Sequence, residues 1–168
     1  MIEEIVLSYM NDKEKMIDYA KQYSGLEEAE DIVQDAYLRL IKNKDGLNDK
    51  NQINSRLHYY IKCNIHERFK ETGNEELKIK QIEKNYIKVK SNESEDPLQT
   101  IIDRHEEVNE LIHKLPLFYR VIMELVSEGY EYDEISEGLG VNPSSLRTRI
   151  ERGRMLVKKE YYKRKEMF

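Results

Sequence analysis

The sequence is poor in the residues that mark small secreted, membrane or β-rich proteins. Its 168 residues hold one cysteine, Cys63, so no internal disulfide is available, which fits a reducing cytosol. No apolar run approaches the roughly 20 residues needed to span a bilayer, so membrane insertion is not expected. The first residues, MIEEIVLSYMNDKEK, lack a basic segment followed by a cleavage site, so export is not expected and a cytoplasmic location is. With 7 Gly and 3 Pro, turn signals are sparse, which favours long helices over many short strands. There is neither a G-x-x-x-x-G-K-[ST] loop nor a G-x-G-x-x-G turn. The four histidines, His58, His66, His105 and His113, have no Cys or His at metal-ligand spacing, although His58 and His66 share a helix eight residues apart. No catalytic residue, cofactor or metal ligand is expected, and the chain reads as a non-enzyme.

What is present is charge. Hydrophobic residues make up 39% and charged residues 36%, which is polar but short of the composition of a disordered chain. The net charge of -5 conceals a division. Residues 1–50 carry net -5, residues 51–70 net +3, residues 71–142 net -9 and residues 143–168 net +6. Two basic islands thus sit in an acidic chain. A protein that grips nucleic acid unaided has a broad basic face. This one is expected to bind DNA poorly alone, and its acidic 71–142 segment would oppose free binding because like charges repel phosphate.

The expected fold is all-α. Two small helical domains, residues 1–71 and 105–168, are joined by a flexible linker over 72–104. Ile17, Ala20 and Lys21 with Tyr23 give a first, loosely amphipathic helix. Ser24-Gly-Leu-Glu27 matches the S-x-x-E capping box that opens a second. The polar break NKDGLNDKNQ precedes a third helix near Ile53 to Glu71. The linker is mostly polar, mixes charges and contains SNESEDP.

The segment YEYDEISEGLGVNPSSLRTRIERGRMLVKK has the grammar of a helix-turn-helix. Tyr132, Ile135 and Leu139 share a face. Gly140 supplies the turn, Asn142 an N-cap and Pro143 a first helical residue. Leu146, Ile150, Gly153 and Val157 make a buried stripe. The opposite face carries Ser144, Ser145, Thr148, Glu151 and Arg152, flanked by Arg147 and Arg149. Small polar residues at the start of such a helix reach base edges, and arginines hold phosphate or guanine.

With its lead-in LPLFYRVIMELVSEGYEYDEIS, this segment resembles region four of bacterial RNA polymerase sigma factors, the −35 binding domain. The matching residues are Leu115-Pro116, Arg120, Ile122, Leu125, Glu128-Gly129, Tyr132 and Glu134-Ile135. Ser136, Gly138 and Gly153 depart from it, standing where the family prefers Ala or an aliphatic residue. Glycine within a helix costs about 1 kcal/mol relative to Ala, so a less stable domain is expected.

In the N-terminal part, Ala29, Ile32, Val33, Ala36, Tyr37 and Leu40 form one apolar face. Asp31, Gln34, Asp35 and Leu38 form a second stripe. Carboxylates and an amide beside one aliphatic residue suit a basic, partly apolar protein groove. The string A-E-D-I-V-Q-D-A-Y-L-R-L, Ala29 to Leu40, resembles sigma-factor region two. The resemblance implies that Asp31, Gln34, Asp35 and Leu38 dock on a coiled coil of the largest catalytic subunit of core RNA polymerase. The next helix, INSRLHYYIKCNIHERFKE, puts Ile53, Leu57, Ile61 and Ile65 on an apolar side. Tyr59, Lys62, His66 and Lys70 lie opposite, with Arg56 nearby; rings interleaved with cations suit single-stranded DNA. The resemblance gives this helix −10 recognition, and Asn64 matches a recurrent Asn there, while the usual upstream Trp is absent.

Both segments stand in the order of a short two-domain sigma factor of the extracytoplasmic-function type, or a phage-encoded or otherwise divergent relative. The implied function is to bind core polymerase and direct it to promoter DNA, with an anti-sigma factor as a possible further partner. The alternative is a stand-alone helix-turn-helix regulator that binds DNA without polymerase.

Overall fold

Helix α2, Leu26–Lys42, shows how the N-terminal part is built. Ala29, Ile32, Val33, Ala36, Tyr37 and Leu40 recur at three- and four-residue spacing and are all buried. Against this stripe lies α1, Ile2–Lys21, which buries Ile5, Met16, Ile17 and Ala20. The first helix therefore begins well before the Ile17 region where the sequence pattern places it. Tyr9 and Tyr37 meet edge to face at 4.9 Å, and the Ser8 hydroxyl lies 3.4 Å from the Tyr37 hydroxyl. Lys13 and Glu30 pair at 2.6 Å across the two helices. An exposed pair contributes about 0–1 kcal/mol, whereas full burial of one Leu or Ile contributes about 1.5–3 kcal/mol. The apolar stripe, not the ion pair, holds α1 to α2.

Helix α3, Lys50–Glu71, starts where the Asp49 carboxylate accepts the Gln52 amide at 2.9 Å. It buries Ile53, Leu57, Ile61 and Ile65, as the spacing predicts. The computed structural model describes residues 1–23, 26–45, 47, 49–71 and 105–166. The expected capping box begins at Ser24, and the expected linker covers 72–104, so both lie outside the described residues.

The C-terminal helices are α4, His105–His113, α5, Leu117–Ser127, α6, Tyr132–Leu139, and α7, Pro143–Lys165. Pro116 opens α5, its carbonyl accepting the amides of Tyr119 and Arg120 at 2.9 Å. The core is formed by Leu111, Phe118, Tyr119, Val121, Ile122, Leu125, Ile135, Leu139, Leu146, Ile150 and Val157. The buried Glu124 carboxylate is satisfied by Arg120 at 2.9 Å, with His113 Nδ1 at 3.5 Å. Glu110 of α4 and Arg164 near the end of α7 pair at 2.9 Å.

These seven helices, with no strand among the described residues, form an all-α fold. The chain divides into two compact units, Met1–Arg68 and Phe69–Phe168, with the division inside the last turn of α3.

Candidate nucleic-acid and protein interfaces

The turn between α6 and α7 is fixed by three local devices. Gly140 adopts φ 57° and ψ 41°, a left-handed conformation that costs an L-residue with a Cβ about 1–2 kcal/mol. The buried Ser136 hydroxyl donates to the Val141 carbonyl at 2.5 Å and pins the turn to α6. The Asn142 side chain accepts the Ser144 amide at 2.9 Å and the Ser144 hydroxyl at 2.7 Å, with Pro143 at the first helical position. At the other end of α6, Glu131 and Glu134 form a reciprocal capping box.

Two sequence departures acquire a structural reason here. Ser136 fastens the turn. Gly153 is a close-approach position: a Cβ there would lie 2.7 Å from Met123 Sδ and 2.8 Å from Met123 Cγ. The glycine that propensity marks as a weakness leaves room for Met123 of α5 against α7. A third detail differs from the sequence pattern. Ile135 and Leu139 are buried, but Tyr132 stays 36% exposed, its hydroxyl accepting from Arg154 at 3.1 Å. It stands in the first turn of α6, where its ring stays part-open to solvent beside Arg154 of α7.

α7 buries Leu146, Ile150, Gly153, Leu156 and Val157. Ser144, Ser145, Arg147, Thr148 and Glu151 are exposed, and Arg152 is partly so. The Thr148 hydroxyl is turned back to the Ser144 carbonyl at 3.2 Å. Arg149 faces otherwise than expected. Its guanidinium lies 4.7 Å from the Phe118 ring centre, stacked on α5, because its angular position borders the buried stripe. The exposed first turns of α7, capped and presented beyond a tight turn, can enter a major groove and place small polar side chains at base edges.

This geometry defines a helix-turn-helix DNA-binding domain. More particularly, residues 105–157 match the family model of sigma-70, region 4, a helical domain within the C-terminal unit. The match takes in 53 of the 168 residues and gives the chain a sigma-factor-like DNA-binding role, in keeping with the extracytoplasmic-function type. A search among curated proteins returned no match.

In the N-terminal unit, Asp31, Gln34, Asp35 and Leu38 all lie on the exposed side of α2. Leu38 is 54% exposed. Asp35 pairs with Arg68 at 3.0 Å, an exposed contact that a competing cation can replace. Beside the stripe runs an apolar groove of about 340 Å³, between Val6 and Tyr9 of α1 and Gln34, Leu38 and Ile41 of α2. On α1, Val6 is 46% exposed, Leu7 56% and Met10 74%. These residues are absent from the sequence-based set. Their signal is weak in sequence, because outward and inward aliphatic residues on α1 look alike. A contiguous exposed apolar patch is characteristic of an interaction surface.

The expected −10 face is not presented as its spacing suggests. Lys62 and His66 are each 1% exposed, and Tyr59 and Asn64 each 4%. Tyr59, Tyr60, Ile61, Cys63 and Ile65 crowd the middle of α3 with apolar residues at every angle, so this stretch is enclosed all round rather than on one side. Asn64 is a bridge to α2. Its Oδ1 accepts from Arg39 Nη1 at 2.7 Å, and its Nδ2 donates to the Ile32 carbonyl at 3.1 Å. Arg39 also stacks on Tyr60 at 5.4 Å, and Arg56 lies over the Tyr59 ring at 5.5 Å. Burial pushes the Cys63 thiol up to about 12. Lys70 alone of the five expected −10 residues is exposed.

Among the described residues, no group of three His, Cys, Asp or Glu side chains gathers to hold a metal. No helix among them is long and apolar enough to cross a membrane.

Proposed function

We propose that this chain is a sigma factor that binds core RNA polymerase and directs it to promoter DNA. One observation carries the reading: the chain joins a region 4 DNA-binding domain to an N-terminal unit whose most exposed apolar surface is acidic-edged. That surface has the wrong charge for phosphate and the right chemistry for a protein. In this reading Asp31, Gln34, Asp35 and Leu38 dock on the coiled coil of the largest polymerase subunit, with the α1–α2 groove widening the contact. Ser144, Ser145, Arg147, Thr148, Glu151 and Arg152 meet the −35 major groove. The −10 region is met by the α3 end of residues 1–71, with Lys70 at the surface, while Tyr59, Lys62, Asn64 and His66 support that helix from within. The division of labour is physical. Polymerase supplies affinity and the active site, and the acidic chain lends specificity without catalysing a step.

Run-off transcription with core polymerase on a promoter library tests the reading. Initiation at a defined subset of templates supports it. Sequence-specific binding to a palindromic site without polymerase, together with no initiation, would instead make the chain a stand-alone regulator.

A further inference from the structure

The region 4 match ends at Val157, but α7 continues to Lys165, more than two further turns. This extension reads KKEYYKRK: five cations, one acid and two tyrosines. Near its far end Arg164 pairs with Glu110 of α4 at 2.9 Å, an exposed contact, and within the helix Lys165 sits 4.8 Å from the Tyr161 ring centre. At 100° per residue, Lys158, Lys159 and Tyr162 fall on the same side of α7 as Ser144, Thr148 and Glu151, and Lys163 lies at the edge of that side. Lys159, Tyr162 and Lys163 are exposed.

The first turns of α7 hold less outward positive charge than their sequence suggests. Arg149 is stacked on Phe118, and Arg154 donates to the Tyr132 hydroxyl at 3.1 Å. Glu151 offsets a further charge. Arg147 stays exposed and Arg152 partly so, and the extension continues the cationic surface of α7 with Lys158, Lys159 and Lys163. Lys159 is 15 residues beyond Ser144, about 22 Å along the helix axis. A helix whose first turns lie in the major groove, about 12 Å wide, passes over a phosphate strand as it leaves. Lysine side chains at that point reach phosphate oxygens, and the Tyr162 hydroxyl can donate to one.

We propose that Lys158, Lys159 and Lys163, with Tyr162, form a second DNA contact: a phosphate-backbone clamp beyond the region 4 core. It adds sequence-independent affinity to the sequence-reading first turns. The proposal rests on the reading of α7 as the recognition helix.

The test uses the full chain and a fluorescent 25-base-pair duplex of arbitrary sequence, with anisotropy titrations across a salt series from low ionic strength. Neutralising three phosphate-facing lysines reduces the slope of log K against log salt by about 2.7. The expected result for Lys158→Gln/Lys159→Gln/Lys163→Gln is that shallower slope, with affinity at least about tenfold weaker at the lowest salt. Circular dichroism should match the parent chain. A comparison variant, Arg147→Gln/Arg152→Gln, reports on the recognition turns separately. If it weakens binding while the triple variant keeps the parent slope, the clamp is overturned and the recognition reading stands. If neither variant changes binding, the clamp is overturned, since on a duplex of arbitrary sequence its phosphate contacts carry the affinity. An unchanged slope combined with weaker retention on core polymerase would assign the extension to an acidic protein surface and also overturn the clamp.

Discussion

Replacing Asn64 by Ala separates a structural role from a base-reading one. Asn64 is 4% exposed and spans α2 and α3 with two hydrogen bonds. The bond from Arg39 at 2.7 Å is charge-assisted, a type that contributes about 1.5–3 kcal/mol when fully buried. The Arg39 side chain is 33% exposed, so water can replace the lost oxygen, and Tyr60 and Glu67 still hold the guanidinium. About 1 kcal/mol of that bond is then lost. The second bond, to the Ile32 carbonyl, is neutral and contributes about 0.5–1.5 kcal/mol. Together Asn64→Ala destabilises the N-terminal unit by about 2 kcal/mol, roughly a thirtyfold change in its folded-to-unfolded ratio. For a unit of this size that lowers the urea midpoint by ~1–2 M. Urea titration of the full chain, with amide hydrogen exchange to locate the change in Met1–Arg68, measures it. A midpoint shifted by less than about 0.3 M, accompanied by loss of promoter opening, would refute the bridging role and return Asn64 to the DNA face.

Gly140→Val places a β-branched residue at φ 57° where no neighbour lies within 4 Å of the new Cβ, so the cost is purely conformational. A loss of about 1–2 kcal/mol and a melting temperature lower by roughly 5–15 °C are expected, with Gly140→Asn recovering much of it. Gly153→Ala sets a propensity gain of about 1 kcal/mol against a contact with Met123, and a net loss of about 1 kcal/mol is expected. In a Met123→Ala background the same change should become stabilising, which a double-mutant cycle reads directly. The Cys63 thiol is raised from an ordinary value of 9.0 to about 12, so the fold favours its neutral form. Its contribution to stability is complete below pH 9.0 and is lost as pH rises toward about 12. Iodoacetamide at pH 8 should therefore label Cys63 only in denaturant, and rapid labelling of the native chain would contradict its enclosure.

The inner stripe of α2 and the turn before α7 were legible in the sequence because each rests on short-range physics. Three- and four-residue spacing assigns Ala29 through Leu40 to one side, and Gly140, Asn142 and Pro143 act within one turn of the chain. α3 misled the spacing rule. Ile53, Leu57, Ile61 and Ile65 define a buried side, but Tyr59, Tyr60 and Cys63 fill the remaining angles, so a nominally opposite face was never open. Lys62 and His66 carry polar names into that enclosed stretch, and composition gives no warning of it. Arg149 and Gly153 depend on α5, through Phe118 and Met123, which lie about 30 positions earlier in sequence. Propensity, which is local, cannot see either contact. Val6, Leu7 and Met10 show the converse, because an aliphatic residue left outside by packing looks in sequence like one placed inside.

The central claim, that the outer stripe of α2 is a polymerase-docking surface, is tested most directly by retention of the full chain on immobilised core RNA polymerase. The comparison is between the parent and Asp31→Arg/Asp35→Arg. The reversal removes only an exposed pair with Arg68, worth about 0–1 kcal/mol, so the fold should persist by circular dichroism. Retention of the parent with loss of the variant by tenfold or more, roughly 1.4 kcal/mol, is the predicted result. Equal retention of the two would contradict it.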